Sequence, residues 1–144
     1  MKTVFRLLQK KGSEVWTIGP EASVFAALER MAEKNVGALV VTEGEKLAGI
    51  FSERDYARKV ILRGRTSRET LVEEIMTRNP ITVSPEESMD RCMELMTEKR
   101  VRHLPVVADD RLAGIISIGD VVKEVITEQA ATIGYLEDYI TGRR

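Results

Sequence analysis

The chain has 144 residues, 43% of them hydrophobic and 31% charged, enough for one compact domain with its own core. Its 22 basic and 23 acidic residues leave a net charge of −1, without the basic footprint of a nucleic-acid binder, so nucleic acid is not an expected partner. One cysteine, Cys92, and one histidine, His103, exclude an internal disulfide and a His/Cys zinc site. No apolar run approaches the ~20 residues of a membrane span. The first residues are too polar for a signal peptide, and the expected location is the cytoplasm.

Residues 1–14 read as an amphipathic helix with Val4, Leu7 and Leu8 on one face, ended by Gly12-Ser13. A first unit over residues 15–64 follows. Val15-Trp16-Thr17-Ile18 is a short strand, and Gly19-Pro20 breaks it. Ser23 is placed to cap a helix over 24–34, whose Val24, Ala27, Leu28 and Met31 share a face; Asn35 closes it. Val36–Val41 is a nearly continuous apolar run, which suits a strand buried on both faces. A polar turn at Glu43–Lys46 sends it back as Leu47–Phe51. From Ser52 a helix is predicted to about Leu62, stopped by Gly64.

Residues 65–80 read as a partly ordered linker ending in Asn79-Pro80. The first unit then repeats over 81–128 at a constant offset of about 65 residues, with roughly two positions in five identical. Leu112-Ala113-Gly114-Ile115 copies Leu47-Ala48-Gly49-Ile50 letter for letter. A unit this small cannot close a core alone, so two βαββα units are predicted to pack about a pseudo-twofold axis, leaving two related clefts. In the remaining tail, 129–144, Ile133, Leu136 and Ile140 predict a short helix docked on the domain or on a partner subunit.

The repeat sets Ser52-x-x-Asp55 against Ser117-x-x-Asp120 at matching strand-to-helix turns. Two readings fit that spacing. One is a helix cap, with serine and an acidic third residue bonding each other's backbone. The other is a ligand turn: free helix N–H groups favour a phosphate, and a carboxylate at such a turn can hold ribose hydroxyls. Arg102-His103 weighs towards the second. A basic pair at the entrance of a buried strand is costly without a partner, and an anionic ligand would supply one. At the matching place the first unit has Gly37-Ala38, small enough to admit a flat ring beside Val36. Arg54 and Arg58 share a helix face near Ser52, where Arg54 could meet a phosphate and Lys59 less directly; a solvated charged face is the plain alternative. Met89, Met93, Met96 and Cys92 read as core. No phosphate-binding glycine loop and no nucleophile–base pair is present, so no catalytic site is expected.

The Thr-x-x-Pro-x-x-Ser start, the apolar run ending in Leu104-Pro105-Val106 and the Gly-Ile-x-Ser-x-x-Asp ends resemble the cystathionine-β-synthase (CBS) domain, here as a tandem pair over about residues 15–128. The resemblance implies an α/β module with two clefts for adenosyl ligands such as AMP, ADP, ATP, NAD or S-adenosylmethionine. One cleft would combine Thr17, Val36, Gly37 and Ala38 around adenine with Arg102, His103, Ser117 and Asp120. The other would combine Thr82 and the Arg102–Leu104 backbone with Ser52, Arg54 and Asp55. The two aspartates would hold ribose, and the two serines ribose or phosphate. Val40 stands where the second unit has Pro105, and the first unit lacks the basic pair, so unequal clefts are expected. The function implied is a non-enzymatic sensor of energy or redox state, a homodimer that signals to a partner protein. A protein–protein adaptor that binds no nucleotide is the alternative.

Overall fold

The computed structural model describes residues 2–12 and 14–141; Ser13, expected to help end the first helix, lies outside them. In chain order the elements are α1 (Val4–Lys11), β1 (Thr17–Ile18), α2 (Val24–Lys34), β2 (Ala38–Glu43), β3 (Lys46–Ser52), α3 (Glu53–Tyr56), α4 (Val72–Ile75), β4 (Thr77–Arg78), α5 (Met89–Lys99), β5 (His103–Ala108), β6 (Arg111–Ser117) and α6 (Ile118–Thr141). The architecture is mixed α/β and built from two copies of one unit.

The repetition extends to individual hydrogen bonds. Ser23 and Ser88 cap α2 and α5, accepting from the N–H groups of Ala26 and Arg91. Asn35 and Arg100 end those helices in the left-handed region, at φ 55° and 54°. The chain therefore leaves each helix through one further bond, from Val36 N–H or Val101 N–H back to Met31 or Met96. That capping bond shifts the strand start. β2 begins at Ala38 and β5 at His103, two residues later than the apolar runs suggest. In the hairpins Ala38 pairs with Ser52 and His103 with Ser117, and the register slips at Val41/Thr42 and at Val106/Val107. Alternation along β2 sends Leu39 and Val41 into the core with α2, while Ala38 and Val40 are buried on the opposite face.

Three features depart from a plain duplication. The first is β1, which pairs parallel with β2, whereas its counterpart is reduced to one bridge between Val83 and Val106. The second is the helix expected from Ser52 to Leu62. It stays α-helical only to Tyr56 and then widens into a π-turn over Ala57–Ile61, closed by Leu62 N–H on the Ala57 carbonyl at 3.1 Å. The third is the tail. It is neither a separate helix nor packed on its own domain; it continues α6, which runs unbroken over the 24 residues Ile118–Thr141, and beyond Glu128 nearly every side chain is exposed.

The segments outside the repeat complete its two cores. Val72, Ile75 and Met76 close the core of the first unit, with Phe51, Leu39 and Val24. Val4, Leu7 and Leu8 close the core of the second unit, with Leu104, Cys92 and Ile116. α1 thus crosses the molecule to the far repeat. The two crossings are laid down by matching bonds: Thr3 bridges Ser88 as Leu71 bridges Ser23, and Val4 N–H reaches the Glu87 carbonyl as Val72 N–H reaches that of Ala22, each at 2.9 Å. The identical Gly49 and Gly114 mark where these segments press on the strands, Met76-Thr77 on the first and α1 on the second. A Cβ on Gly49 would stand 2.6 Å from the Thr77 carbonyl, and one on Gly114 would stand 2.9 Å from a methyl of Leu8.

A leucine methyl can swing aside and a paired backbone carbonyl cannot. Gly114→Ala should therefore change stability by no more than ~1 kcal/mol, and Gly49→Ala should cost about 1–3 kcal/mol. Urea denaturation of the two variants checks this; equal or reversed effects would contradict the packing.

Candidate functional site

Both Ser-x-x-Asp turns are capping boxes. Ser52 N–H donates to Asp55 Oδ2 at 3.0 Å while Asp55 N–H donates to Ser52 Oγ at 3.2 Å. In the second unit the same two bonds measure 2.8 and 3.1 Å. The cap fixes each carboxylate on the lining of a cavity, so the two readings of the motif are compatible.

The larger cavity measures 890 Å³ and is walled by both units: Ser52, Arg54 and Asp55 from one, Ile81, Arg100 and Arg102 from the other. The smaller, of 450 Å³, lies between Trp16, Val36 and Ala38 on one side and Ser117, Asp120 and Lys11 on the other. Gly37 and His103 line both and form the wall between them. A Cβ on Gly37 would stand 3.0 Å from Glu53 Oε1, the end of an exposed side chain, and at ordinary contact distance, 3.9 Å, from the imidazole.

Three residues singled out from the sequence line neither cavity. Leu104 is fully buried in the core because it alternates with His103, which faces the cavities. Thr17 and Thr82 give way to their neighbours Trp16 and Ile81, a one-residue displacement that reverses the side chain's direction. Arg102 faces the larger cavity, away from Asp120, with which the expected cleft had combined it.

The two carboxylates are neutralised by lysines of different origin. Lys59 lies in the π-turn and reaches Asp55 Oδ1 at 3.0 Å, and its ammonium also donates to the Ile75 carbonyl. Thr77 adds a bond to the same oxygen at 3.3 Å, and Ser52 Oγ adds one to Oδ2 at 3.1 Å. The residue aligned with Lys59 in the second unit is Glu124, which is buried and bound by Lys2 and Lys10. Asp120 is instead met by Lys11 at the end of α1, whose ammonium also donates to the Ile115 carbonyl at 2.8 Å. Both bonds to Asp120 fall on Oδ2, so its Oδ1 is uncommitted within the described chain. Burial pushes the Asp120 carboxyl up, but Lys11 and the Ser117 N–H outweigh it and hold the group below the ordinary carboxylate range. His103 is held below its ordinary 6.5, first by burial and then by Lys11 and Arg102, against a smaller opposing pull from Asp120.

Charge separates the cavities as much as size does. Arg54, Arg58, Lys59, Arg100 and Arg102 surround the larger against the carboxylates of Glu53 and Asp55. Arg54 reaches from the first unit to the second and donates to the Arg100 carbonyl at 2.8 Å. The smaller holds Lys11 against Glu14 and Asp120. Cys92 is no part of either: it is fully buried, and burial pushes its thiol up to about 11.

A duplicated βαββα unit with paired, capped Ser-x-x-Asp turns on shared cavities defines a tandem module of two CBS domains. Residues 7–62 and 72–127 each match that domain, and the chain belongs to the CBS domain family. It is 46% identical over 136 residues to the mitochondrial CBS domain-containing protein CBSX3 of Arabidopsis thaliana, covering 91% of this chain and 66% of that one. A solved CBS-domain protein from Burkholderia ambifaria MC40-6 shares 50% identity with a TM-score of 0.85, over 89% of this chain and 96% of the other. The CBS domain pair of MJ0100, solved with 5′-methylthioadenosine and S-adenosyl-L-methionine, shares 26% identity with a TM-score of 0.78, over 89% and 98% of the two chains.

The depressed His103 pKa carries a signed prediction. Below its ordinary 6.5 the unfolded chain takes the proton first, so stability is complete above that pH and falls as acidification proceeds through the lower folded value. Lys11→Met removes a cation facing both His103 and Asp120 and should raise both pKa values. His103 is the sole histidine, so its ring resonances followed by NMR titration read this without ambiguity.

Proposed function

We propose that this chain is a regulatory, non-enzymatic module that binds an adenosyl ligand and transmits its occupancy to another protein. AMP and NAD head the ligand classes, followed by ADP, ATP and S-adenosylmethionine. The observation that carries the reading is the pair of capped aspartates, each fixed on the lining of a cavity that both units build. Cavities of 890 and 450 Å³ fall within the range of small-molecule sites. The adenosyl compounds bound by the MJ0100 pair support the ligand class.

Phosphates belong in the larger cavity, where Arg54, Arg58 and Arg102 concentrate positive potential and Asp55 and Ser52 face the ribose. The smaller cavity suits a nucleoside without a phosphate chain. Its ring would lie between Trp16 and Val36-Gly37-Ala38, and its ribose would take the open Oδ1 of Asp120. A ligand there competes with Lys11 for Asp120, so the end of α1 is the element placed to sense it. Signalling then follows from unequal affinity of the ligand for two settings of that element. Two copies form the working unit, and a single buried cysteine suits the cytoplasm, although the plant relative is mitochondrial.

Isothermal titration calorimetry with AMP, ATP, NAD and S-adenosylmethionine tests the proposal on the wild type, Asp55→Ala and Asp120→Ala. The expected result is binding of at least one ligand, weakened tenfold or more by one of the two substitutions. Ligands that neither release heat nor raise the melting temperature would leave the adaptor reading instead.

A further inference from the structure

Along α6 from Val122 to Ile140, one set of apolar side chains stays about half or more exposed among the described residues. Val122, Ile126, Ile133, Leu136 and Ile140 are 47, 60, 56, 57 and 80% exposed. They are not scattered. With Gln129 they follow steps of four, three, four, three and four residues, the spacing of a heptad seam. Isoleucine fills every a position of the arm (126, 133, 140), and valine, glutamine and leucine fill d (122, 129, 136). The face turned to the domain is separate from this seam. It consists of Val121 and Glu124, both buried, with Val125 partly covered.

We infer that this seam pairs with the same seam of a second copy, the two α6 arms lying antiparallel. Three observations choose the occupant and its direction. First, the seam is self-complementary when reversed: Ile126 faces Leu136, Ile133 faces Gln129 and Ile140 faces Val122, so every a position meets a d position. Second, the flanking positions match only in that direction. Lys123 and Glu137 both occupy e, and the reversed pairing brings each lysine to the other copy's glutamate; a parallel pair offers them no opposite charge. On the other flank, Tyr139, 86% exposed, falls beside the other copy's Val125, which its own domain covers only in part. Third, antiparallel arms set opposite helix dipoles side by side. An unsupported apolar helix of this length is marginal in water, and pairing supplies the packing it lacks.

This inference sharpens the two-copy assembly proposed above and does not depend on nucleotide binding. Ala130 sits beside the reversal axis, next to its own copy in the partner arm. Ala130→Cys should therefore form an intermolecular disulfide under mild oxidation of the full chain, while Leu136→Cys, which faces its own copy only in a parallel pair, should not. Cys92 is buried and serves as the silent background. Adding Ile133→Asp, at an exposed position that the fold tolerates, should abolish the Ala130→Cys cross-link. Lys123→Glu should slow it severalfold, and the double exchange Lys123→Glu/Glu137→Lys should restore it. Cross-linking through Leu136→Cys, or none through Ala130→Cys, would overturn the proposal. Sedimentation of the wild type separates the two failures: a dimer without the Ala130→Cys link retains two-copy assembly and removes only the paired arms.

Discussion

The structure depends on one long-range exchange of apolar surface. Each repeat presents a helix and a hairpin that leave one side of the core open, and a segment outside the repeat must cover it. For the first unit the cover is α4, the next helix in the chain. For the second it is α1, delivered from the opposite end. Val4, Leu7 and Leu8 bury themselves against Leu104, Cys92 and Ile116, and Lys2 and Lys10 of the same segment neutralise the buried Glu124. The N-terminal helix is therefore part of the C-terminal core, and the module closes into a ring of contacts rather than two beads on a string.

That closure makes the cavities unequal. An internal lysine, brought round by the π-turn, serves Asp55; a lysine from the crossing helix serves Asp120. Both arrangements satisfy the same electrostatic demand, the neutralisation of a partly buried carboxylate at a helix start. The consequences differ. Asp55 is tied on both oxygens to groups of its own unit and its α4–β4 cover. Asp120 is tied through one oxygen to Lys11 of α1, a segment that comes from outside the repeat carrying the aspartate. Identical motifs have become one site closed by its own unit and one site closed by the crossing helix.

The two members of the Arg102-His103 pair part company. Alternation directs His103 into the wall between the cavities, where burial and the neighbouring cations keep the neutral imidazole favoured. Arg102 precedes β5 and turns to the larger cavity with four other cations. Thr17 and Thr82 each stand one residue from a cavity-lining neighbour, Trp16 and Ile81. Thr17 lies in β1 and Thr82 beside the single Val83 bridge, extended stretches where one step reverses the face, and a repeat aligned to itself cannot reveal which face is the inner one.

Local chemistry and duplication determined much of this protein from the sequence alone. Ser23 and Ser88 cap their helices, Asn35 closes α2, the hairpins sit in matching register, and Ser52-x-x-Asp55 recurs as Ser117-x-x-Asp120. Such features rest on contacts a few residues apart or on a pattern seen twice. Tertiary structure alone decided that α1 belongs to the distant unit, that Lys11 holds Asp120 where the residue matching Lys59 is Glu124, and that Trp16 rather than Thr17 faces the smaller cavity. It also decided that the tail runs on from α6 as a free arm. Those outcomes turn on which apolar face is left uncovered once the two units meet. That is a property of the assembled surfaces and has no signature in the spacing of any one segment.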